Sequence, residues 1–289
     1  MIVFRTKCVI FAASLAGIFW GTGTALAAGV IDQIRASQTI RIAYREDAPP
    51  FSYKDANSAR PTGFMINLCQ AVAKKLSEQI SVPSLKLTYV PVTSATRFDA
   101  IKSGQADLLC EATTATLSRR AEVDFSIPTF LDGASLLVTD DGIRNLKALA
   151  GKKIGVLAGT TTEDALRNAL KAASVTAEVE TAKTHAEGIA MLDEGKVSAY
   201  FGDRSILMYL AKDSKEEKKL RIANTALTVE PYALALPRGD EEFRLAVDTA
   251  LSHIYGSGDM PKIFAQTFGD KAQPSDAVKL LYLISALPD

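Results

Sequence analysis

The stretch LKLTYVPVTSATRFDAIKSGQADLLC, residues 85–110, decides the fold of this chain. Its first part, LKLTYV, predicts a strand, and its last part, ADLLC, predicts a second strand that is apolar. Between them, RFDAIKSG predicts a short helix that ends at Gly104. A strand, a helix and a further strand in this order are typical of an α/β fold with a largely parallel sheet.

The same alternation continues on both sides of this stretch. Upstream, TIRIAY (39–44) has the alternating pattern of a strand, and GFMINLCQAVAKKL (63–76) has apolar residues at helical spacing. Downstream the pattern restarts with the strand KKIGVLAG (152–159) and the helix TTTEDALRNALKAA, in which Thr160 and Glu163 have capping-box spacing. The remaining predicted elements are the helix HAEGIAMLDEG, the strand VSAYFGD, the helix RSILMYLAKD, the strand EPYALALPRGD and the helix EEFRLAVDTALSHIYGSG.

These elements form two α/β units. They are joined by extended segments near TFLDGASLLV (129–138) and VEPYALAL (229–236). Ligands of such folds bind outside the carboxyl ends of the strands, so the cleft between the two lobes is the expected site.

The N-terminal segment, residues 1–27, predicts a secretory signal peptide rather than part of the fold. Arg5 and Lys7 precede an apolar run, and Ala25-Leu26-Ala27 gives a cleavage site before Ala28. A membrane anchor is less favoured, because the run is shorter than the roughly 20 residues that span a bilayer. We therefore expect an exported protein.

The charge and the cysteine content of the chain argue against nucleic-acid binding and against a metal site. Without residues 1–27 the chain has 31 Lys and Arg against 33 Asp and Glu, a formal charge of −2, and no basic run that would neutralise nucleic-acid phosphates. Neither a metal site nor a cofactor is expected, since no Cys/His cluster has ligand spacing. Cys69 and Cys110 remain after cleavage, either as a disulfide or as two buried thiols.

The stretch CEATTATLSRRAEVDFS (110–126) places hydroxyls and guanidinium groups directly after an apolar strand. Such a cluster suits an anion, because a planar guanidinium holds a carboxylate through two parallel hydrogen bonds.

Taken together, these motifs resemble the periplasmic solute-binding proteins of polar amino-acid ABC importers, and most of all their glutamate/aspartate-binding branch. The resemblance covers essentially the whole mature chain, and its markers in order are YREDAPPFSY, GFMINL, VTSATRFDAIKSGQADLL, TTATLSRRAEVDFS, LAGTTTED, AKTHAEG and VSAYFGD. It implies a two-lobed, Venus-flytrap α/β fold with two crossing hinge strands. Lobe 1 would comprise residues 28–136 and 233–289, and lobe 2 residues 137–232.

The resemblance also implies a site for the ligand α-carboxylate. Arg119, five residues before Asp124, would grip the carboxylate, helped by the hydroxyl of Thr114 and the backbone of Ala112. Thr161 would add N–H groups at a helix start. Plain capping and turn chemistry is the alternative for both threonines. Arg120 is interpreted as a solvated neighbour.

For the α-ammonium the resemblance implies Asp203, at the end of VSAYFGD. The alternative is that Asp203 caps the following helix, a role that it could fill at the same time. A zwitterion needs opposite charges on facing walls, so Arg119 in lobe 1 and Asp203 in lobe 2 would be bridged by the ligand.

Four further positions match those that face an acidic side chain in the glutamate/aspartate branch, namely Arg45, Ser94, Arg97 and His185. Two arginines in one cleft are costly when unpaired, which favours an anionic ligand. The alternative is that Arg45 and Arg97 form surface salt bridges with Glu46 or Asp99, and that His185 only starts a helix. Ala48-Pro49 replaces the aromatic residue that the family commonly has before PF, which disfavours a basic or aromatic ligand.

We therefore expect a non-enzymatic, monomeric receptor that binds glutamate or aspartate and delivers it to an inner-membrane ABC permease. An exported cyclohexadienyl or arogenate-type dehydratase on the same fold is the first alternative, and no dedicated acid/base pair in the matched positions supports it. A sensing lobe pair of a receptor or a cell-wall lyase is the second. Such proteins carry extra domains or spans that this chain is not expected to hold.

Overall fold

The computed structural model describes residues 1–2, 28–55, 58–140, 142–214, 220–223 and 227–288. The predicted signal peptide and its cleavage site therefore lie almost wholly outside the described residues. The helices are α1 (Val30–Ser37), α2 (Phe64–Gln79), α3 (Arg97–Lys102), α4 (Leu117–Arg120), α5 (Thr161–Ala172), α6 (His185–Asp193), α7 (Arg204–Asp213), α8 (Glu241–Gly256), α9 (Met260–Phe268) and α10 (Asp276–Ser285), with a 3-10 turn at Leu146–Leu149. The strands are β1 (Thr39–Arg45), β2 (Asp47–Ala48), β3 (Ser52–Tyr53), β4 (Lys86–Val92), β5 (Leu108–Leu109), β6 (Asp124–Asp132), β7 (Ala134–Val138), β8 (Lys153–Leu157), β9 (Glu178–Ala182), β10 (Ala199–Asp203), β11 (Arg221–Ile222) and β12 (Glu230–Leu236).

Within the described residues, the strands form two five-stranded sheets and one short hairpin. The first sheet has the order β4-β1-β5-β12-β6, and its β1 runs parallel to β4 and β5, whereas β12 is antiparallel to its neighbours. The second sheet has the order β11-β7-β10-β8-β9, in which β8 runs parallel to β9 and β10. β2 and β3 pair as the hairpin. The α/β class with two lobes is confirmed.

In the part of the chain that the structure describes, two crossings between the sheets lie at adjacent places. β6 ends at Asp132 in the first sheet and β7 begins at Ala134 in the second, while β12 returns to the first sheet at Glu230. Glu230 pairs directly with Asp132, so two carboxylates meet where the lobes join. The predicted lobe boundaries, after Leu136 and after Tyr232, fall inside β7 and β12, because the sequence does not show which sheet a crossing strand joins.

The core of the first lobe forms where the predicted helical face of α2 packs against α8 and the sheet. Phe51, Phe64 and Phe130 are buried there in edge-to-face contacts, which aromatic rings prefer. In the same core Cys69 of α2 and Cys110, just after β5, form a disulfide with their Cα atoms 6.3 Å apart. Of the two states that the sequence left open, the structure therefore contains the bridged one.

Within the described ranges, no helix combines the length and the apolar character that crossing a membrane requires. The same ranges contain no group of three or more His, Cys, Asp or Glu side chains arranged to hold a metal ion.

Candidate functional site

The predicted site residues lie at the ends of strands and the starts of helices that face the junction of the lobes. From the first lobe, Arg45 ends β1, Arg97 begins α3 and Arg119 lies in α4. From the second lobe come Thr161 and His185, the first residues of α5 and α6, and Asp203, the last residue of β10.

Hydrogen bonds join the two lobes at this junction. The Thr161 hydroxyl donates to that of Thr114 at 3.3 Å, and Nη2 of Arg97 donates to the carbonyl of Gly159 at 3.2 Å. The backbone N–H of His185 donates to Asp47 at 3.1 Å. The predicted residues of the two lobes therefore meet in one place.

Arg119 is held in position by its own loop. Thr116 caps α4 by accepting from the N–H of Arg119 at 3.2 Å, and Nη1 of Arg119 donates to the Thr114 carbonyl at 2.8 Å. Burial lowers the pKa of Arg119, an effect that Glu111 and Glu230 oppose. Its neighbour Arg120 is exposed, as predicted. Arg119 therefore keeps part of its guanidinium for a further partner in the cleft.

The two threonines converge on a carboxylate that the sequence analysis missed. Oε2 of Glu230, which is 3% exposed, accepts from Thr114 at 2.5 Å and from Thr161 at 2.9 Å. Thr160 caps α5 instead, because its hydroxyl accepts from the N–H of Glu163 at 3.2 Å. The capping interpretation is thus wrong for the Thr161 side chain and right for its neighbour.

Asp203 occupies the N-cap position of α7, but its side chain makes no capping hydrogen bond. Asp132 replaces it there, because Oδ2 of Asp132 accepts from the N–H of Ser205 at 3.1 Å. Oδ1 of Asp203 is buried and has no hydrogen-bond partner among the described residues. Burial, together with Asp132 and Glu230, raises the pKa of Asp203 well above its ordinary value of 3.8. A cation placed here would relieve an uncompensated buried carboxylate.

Arg45 and Arg97 are buried inside the protein, so the prediction that they could form salt bridges at the rim with Glu46 or Asp99 is wrong. Each is 3% exposed, and their partners are Asp47 and Glu111.

Asp47 is the main partner of Arg45, and Glu111 that of Arg97. Arg45 donates through Nε and Nη2 to Oδ1 of Asp47 at 2.9 and 2.6 Å, and its Nη1 lies 3.9 Å from Glu111. Nε of Arg97 lies 3.3 Å from Oε1 of Glu111. Burial lowers the pKa of Arg97 to about 10, with Glu111 acting in the opposite direction. For Arg45, Glu111 and Asp47 outweigh burial and raise the pKa.

His185 is buried beside this group and does start a helix, as its alternative interpretation predicts. Its Nδ1 lies 3.1 Å from the hydroxyl of Tyr200. Burial and the nearby Arg45 lower the pKa of His185 to about 3, so the ring is neutral at physiological pH. It can offer a hydrogen bond to a ligand but no positive charge.

An open cleft of about 810 Å³ lies between the lobes, and the buried side chains of Arg45, Arg97, His185 and Asp203 are not among its lining residues. Ser94, Thr114, Arg119, Thr161 and Glu230 are among its lining residues, and the Ser94 carbonyl accepts from Nη1 of Arg97 at 2.6 Å. Its volume is typical of small-molecule sites. Ala112 is half-buried and packs against the core of the first lobe.

The sequence analysis missed four carboxylates, those of Asp47, Glu111, Asp132 and Glu230. The position of each residue in the sequence could have indicated that it lies near the site. Asp47 lies inside YREDAPPFSY, Glu111 directly follows the strand ADLLC, and Asp132 and Glu230 lie in the two extended segments that join the lobes. Their partners come from distant parts of the chain, so the pairing itself could not be read from the sequence.

Comparison with protein families matches residues 40–270 to the bacterial extracellular solute-binding proteins, family 3. Among similar proteins, the L-glutamate/L-aspartate-binding protein of Pseudomonas aeruginosa is 30% identical over 247 residues, which cover 85% of this chain and 82% of that protein.

Two solved structures of ancestral proteins are similar in sequence and fold. An ancestral arginine-binding protein bound to glutamine is 30% identical with a TM-score of 0.71, covering 80% of this chain and 98% of the other. An ancestral amino acid-binding protein described as a precursor of cyclohexadienyl dehydratase is 29% identical with a TM-score of 0.72, covering 83% and 100%.

Proposed function

Because the chain belongs to family 3 of the bacterial extracellular solute-binding proteins, we propose that it binds a polar amino acid between its lobes and delivers it to an ABC permease. The protein would act as a monomer in the periplasm after removal of residues 1–27. Family members bind amino acids and pass them to such permeases, and the relative in Pseudomonas aeruginosa is named for glutamate and aspartate.

The observation that carries this proposal is the arrangement of opposite charges on facing lobes. Arg119 and Thr114 line the cleft from the first lobe and the start of α5 lines it from the second, while the buried Asp203, at the end of β10, is near enough to Arg119 to oppose the lowering of its pKa. A zwitterion satisfies both ends at once, since its carboxylate pairs with the guanidinium and its ammonium with the buried Oδ1 of Asp203.

Support for an acidic side chain is divided. The name of the relative and the presence of Arg45 and Arg97 favour glutamate or aspartate. Both arginines, however, already have carboxylate partners inside the protein. The argument from costly unpaired arginines therefore loses its premise, and the acidic ligand rests on the relative alone.

Substitution of Arg119 tests the proposal. Arg119→Ala should abolish detectable binding of every amino acid in isothermal titration calorimetry, because truncating one partner of a desolvated charge pair costs about 2–5 kcal/mol. Arg120→Ala, which removes an exposed guanidinium next door, is the matched control and should bind normally. Near-normal affinity of the Arg119→Ala variant would refute the carboxylate site.

The dehydratase alternative is tested with prephenate. The fold likeness to a dehydratase precursor is a likeness to an amino acid-binding protein, which is consistent with a receptor. The absorbance of prephenate should not change when it is incubated with the purified protein. Turnover of prephenate that depends on residues of the cleft would show that the protein is an enzyme and not a receptor.

A further inference from the structure

Glu111 is a buried carboxylate in the subsite where the ligand side chain is expected. It is fully buried directly after β5, and it lies between the two arginines of this subsite, at 3.3 Å from Arg97 and 3.9 Å from Arg45. The hydroxyl of Thr113 donates to its Oε1 and fixes its orientation. A protein carboxylate thus takes the position between two guanidinium groups that an acidic ligand side chain would need.

The charges of this subsite are already balanced. Arg45 and Arg97 contribute two positive charges, and Asp47 and Glu111 contribute two negative charges. His185 adds none, because its pKa is lowered to about 3 by burial and by Arg45. A ligand carboxylate would enter as an unbalanced negative charge beside Glu111, and like charges in a buried site repel strongly.

Two polar atoms of the subsite lack hydrogen-bond partners within the described residues. They are Oε2 of Glu111, and Nε of Arg97, whose 3.3 Å approach to Oε1 of Glu111 is an ion pair without the geometry of a hydrogen bond. Both belong to side chains that are at least 97% buried. Buried polar groups are almost always satisfied, so this unpaired donor and acceptor indicate what a bound molecule supplies.

We propose that this subsite selects the side-chain carboxamide of glutamine or asparagine, and that Glu111 excludes their acidic counterparts. The inference rests on the proposed function, since it assumes that the amino-acid head group is held by Arg119 and Asp203. The NH₂ group of a carboxamide donates to Glu111 and its carbonyl oxygen accepts from Arg97. A carboxylate provides only acceptors and leaves Oε2 of Glu111 unpaired. A basic side chain provides only donors and meets both arginines.

Calorimetric titration of the mature protein with L-glutamine, L-asparagine, L-glutamate and L-aspartate tests this selectivity. The better amide should bind at least about tenfold more tightly than its own acid, the ratio that a modest like-charge penalty gives. Glu111→Gln keeps the shape and removes the charge. It should raise the affinity for the acid at least about tenfold, because the arginines then lack the carboxylate of Glu111 and can pair with that of the ligand. It should lower the affinity for the amide, because the NH₂ group of the ligand loses a charged acceptor. Glu242→Gln, the same change at an exposed position outside this cleft, should leave both affinities unchanged.

The titration distinguishes failure of the carboxamide inference from failure of the proposed function. An acid that binds more tightly than its amide to the natural protein, in an Arg119-dependent manner, would overturn the carboxamide inference and leave the receptor function standing. Arginine or lysine as the best ligand would do the same. Absence of binding to all amino acids would overturn the proposed function itself. If a thermal melt shows that Glu111→Gln does not fold, the ranking of the four ligands by the natural protein still tests the selectivity. Asp47→Asn then tests the charge balance, because it removes the other balancing carboxylate.

Discussion

Asp203 is a residue whose buried surroundings favour the approach of a cation. Its carboxyl group lies among other carboxylates, with Asp132, Glu230 and Glu111 all raising its pKa after burial itself. Such a group binds a proton readily when no other cation is near. An incoming α-ammonium would replace that proton.

Affinity should therefore depend on pH through Asp203. The empty protein holds a proton on Asp203 up to its raised pKa, and the ammonium must displace it, so affinity should fall as the pH falls below that pKa. One displaced proton corresponds to at most about tenfold per pH unit. His185 does not contribute between about pH 5 and 8, because its pKa is about 3. Calorimetry in buffers of different ionisation heat should detect proton release on binding.

The control for this pH effect is Asp203→Asn, which should bind more weakly and with a flatter pH profile. Asp132 also has a pKa raised by burial, so a natural profile that persists in Asp203→Asn would assign the proton to another carboxyl group. An affinity of the natural protein that does not weaken as the pH is lowered would contradict the ammonium site.

At the scale of elements, a disulfide links a helix to a strand in the first lobe. It ties α2 to the end of β5, only one residue before Glu111, and its cysteines are 41 residues apart in the chain. Replacement of both Cys69 and Cys110 by alanine should lower the free energy of unfolding by about 2–4 kcal/mol, because the unfolded chain loses a cross-link. Urea unfolding of the mature protein measures this.

Reductant provides the control. It should destabilise the natural protein by a similar amount and leave the double variant unaffected. An unfolding free energy that is the same in both proteins, with and without reductant, would show that the two thiols are free in solution.

At the level of elements, the sequence predicted what depends on local pattern. Apolar periodicity predicted α2 and α8, and the capping box predicted the start of α5, because both signals lie within one element. The pairing of β6 with β12 depends on residues about a hundred positions apart, so only the extended character of these segments was predictable.

At the site, the resemblance to solute-binding proteins implied Arg45 and Asp203, and the structure places both at the ends of strands. The partners of Arg45 and Arg97 were not predictable. Glu46 and Asp99 are close in sequence, yet Asp47 and Glu111 satisfy the arginines, since burial of a charge is decided by packing across the lobe.

At the scale of the whole molecule, the two crossings join the lobes next to the site, and the proposed function requires the lobes to close on a ligand. β6–β7 and the start of β12 lie side by side, and three hydrogen bonds between the lobes join residues that belong to or adjoin the site. A ligand that contacts both walls only in the closed form shifts the equilibrium toward closure by its differential affinity.

Closure can be followed without background, because the only tryptophan, Trp20, lies in the predicted signal peptide. Ser118 and Asn168 are exposed and line the cleft mouth from opposite lobes. Single Ser118→Trp and Asn168→Trp variants should each change fluorescence when the amino acid identified by calorimetry is added, and neither should respond when Arg119→Ala is combined with it.

Small-angle scattering of the mature natural protein, with and without that amino acid, tests the central claim of capture between two lobes most directly. We predict a smaller radius of gyration in the presence of the ligand, with no change in the Arg119→Ala variant. Tight binding with an unchanged radius of gyration would contradict the account, because the ligand would then not bridge Arg119 and Asp203 across a closing cleft.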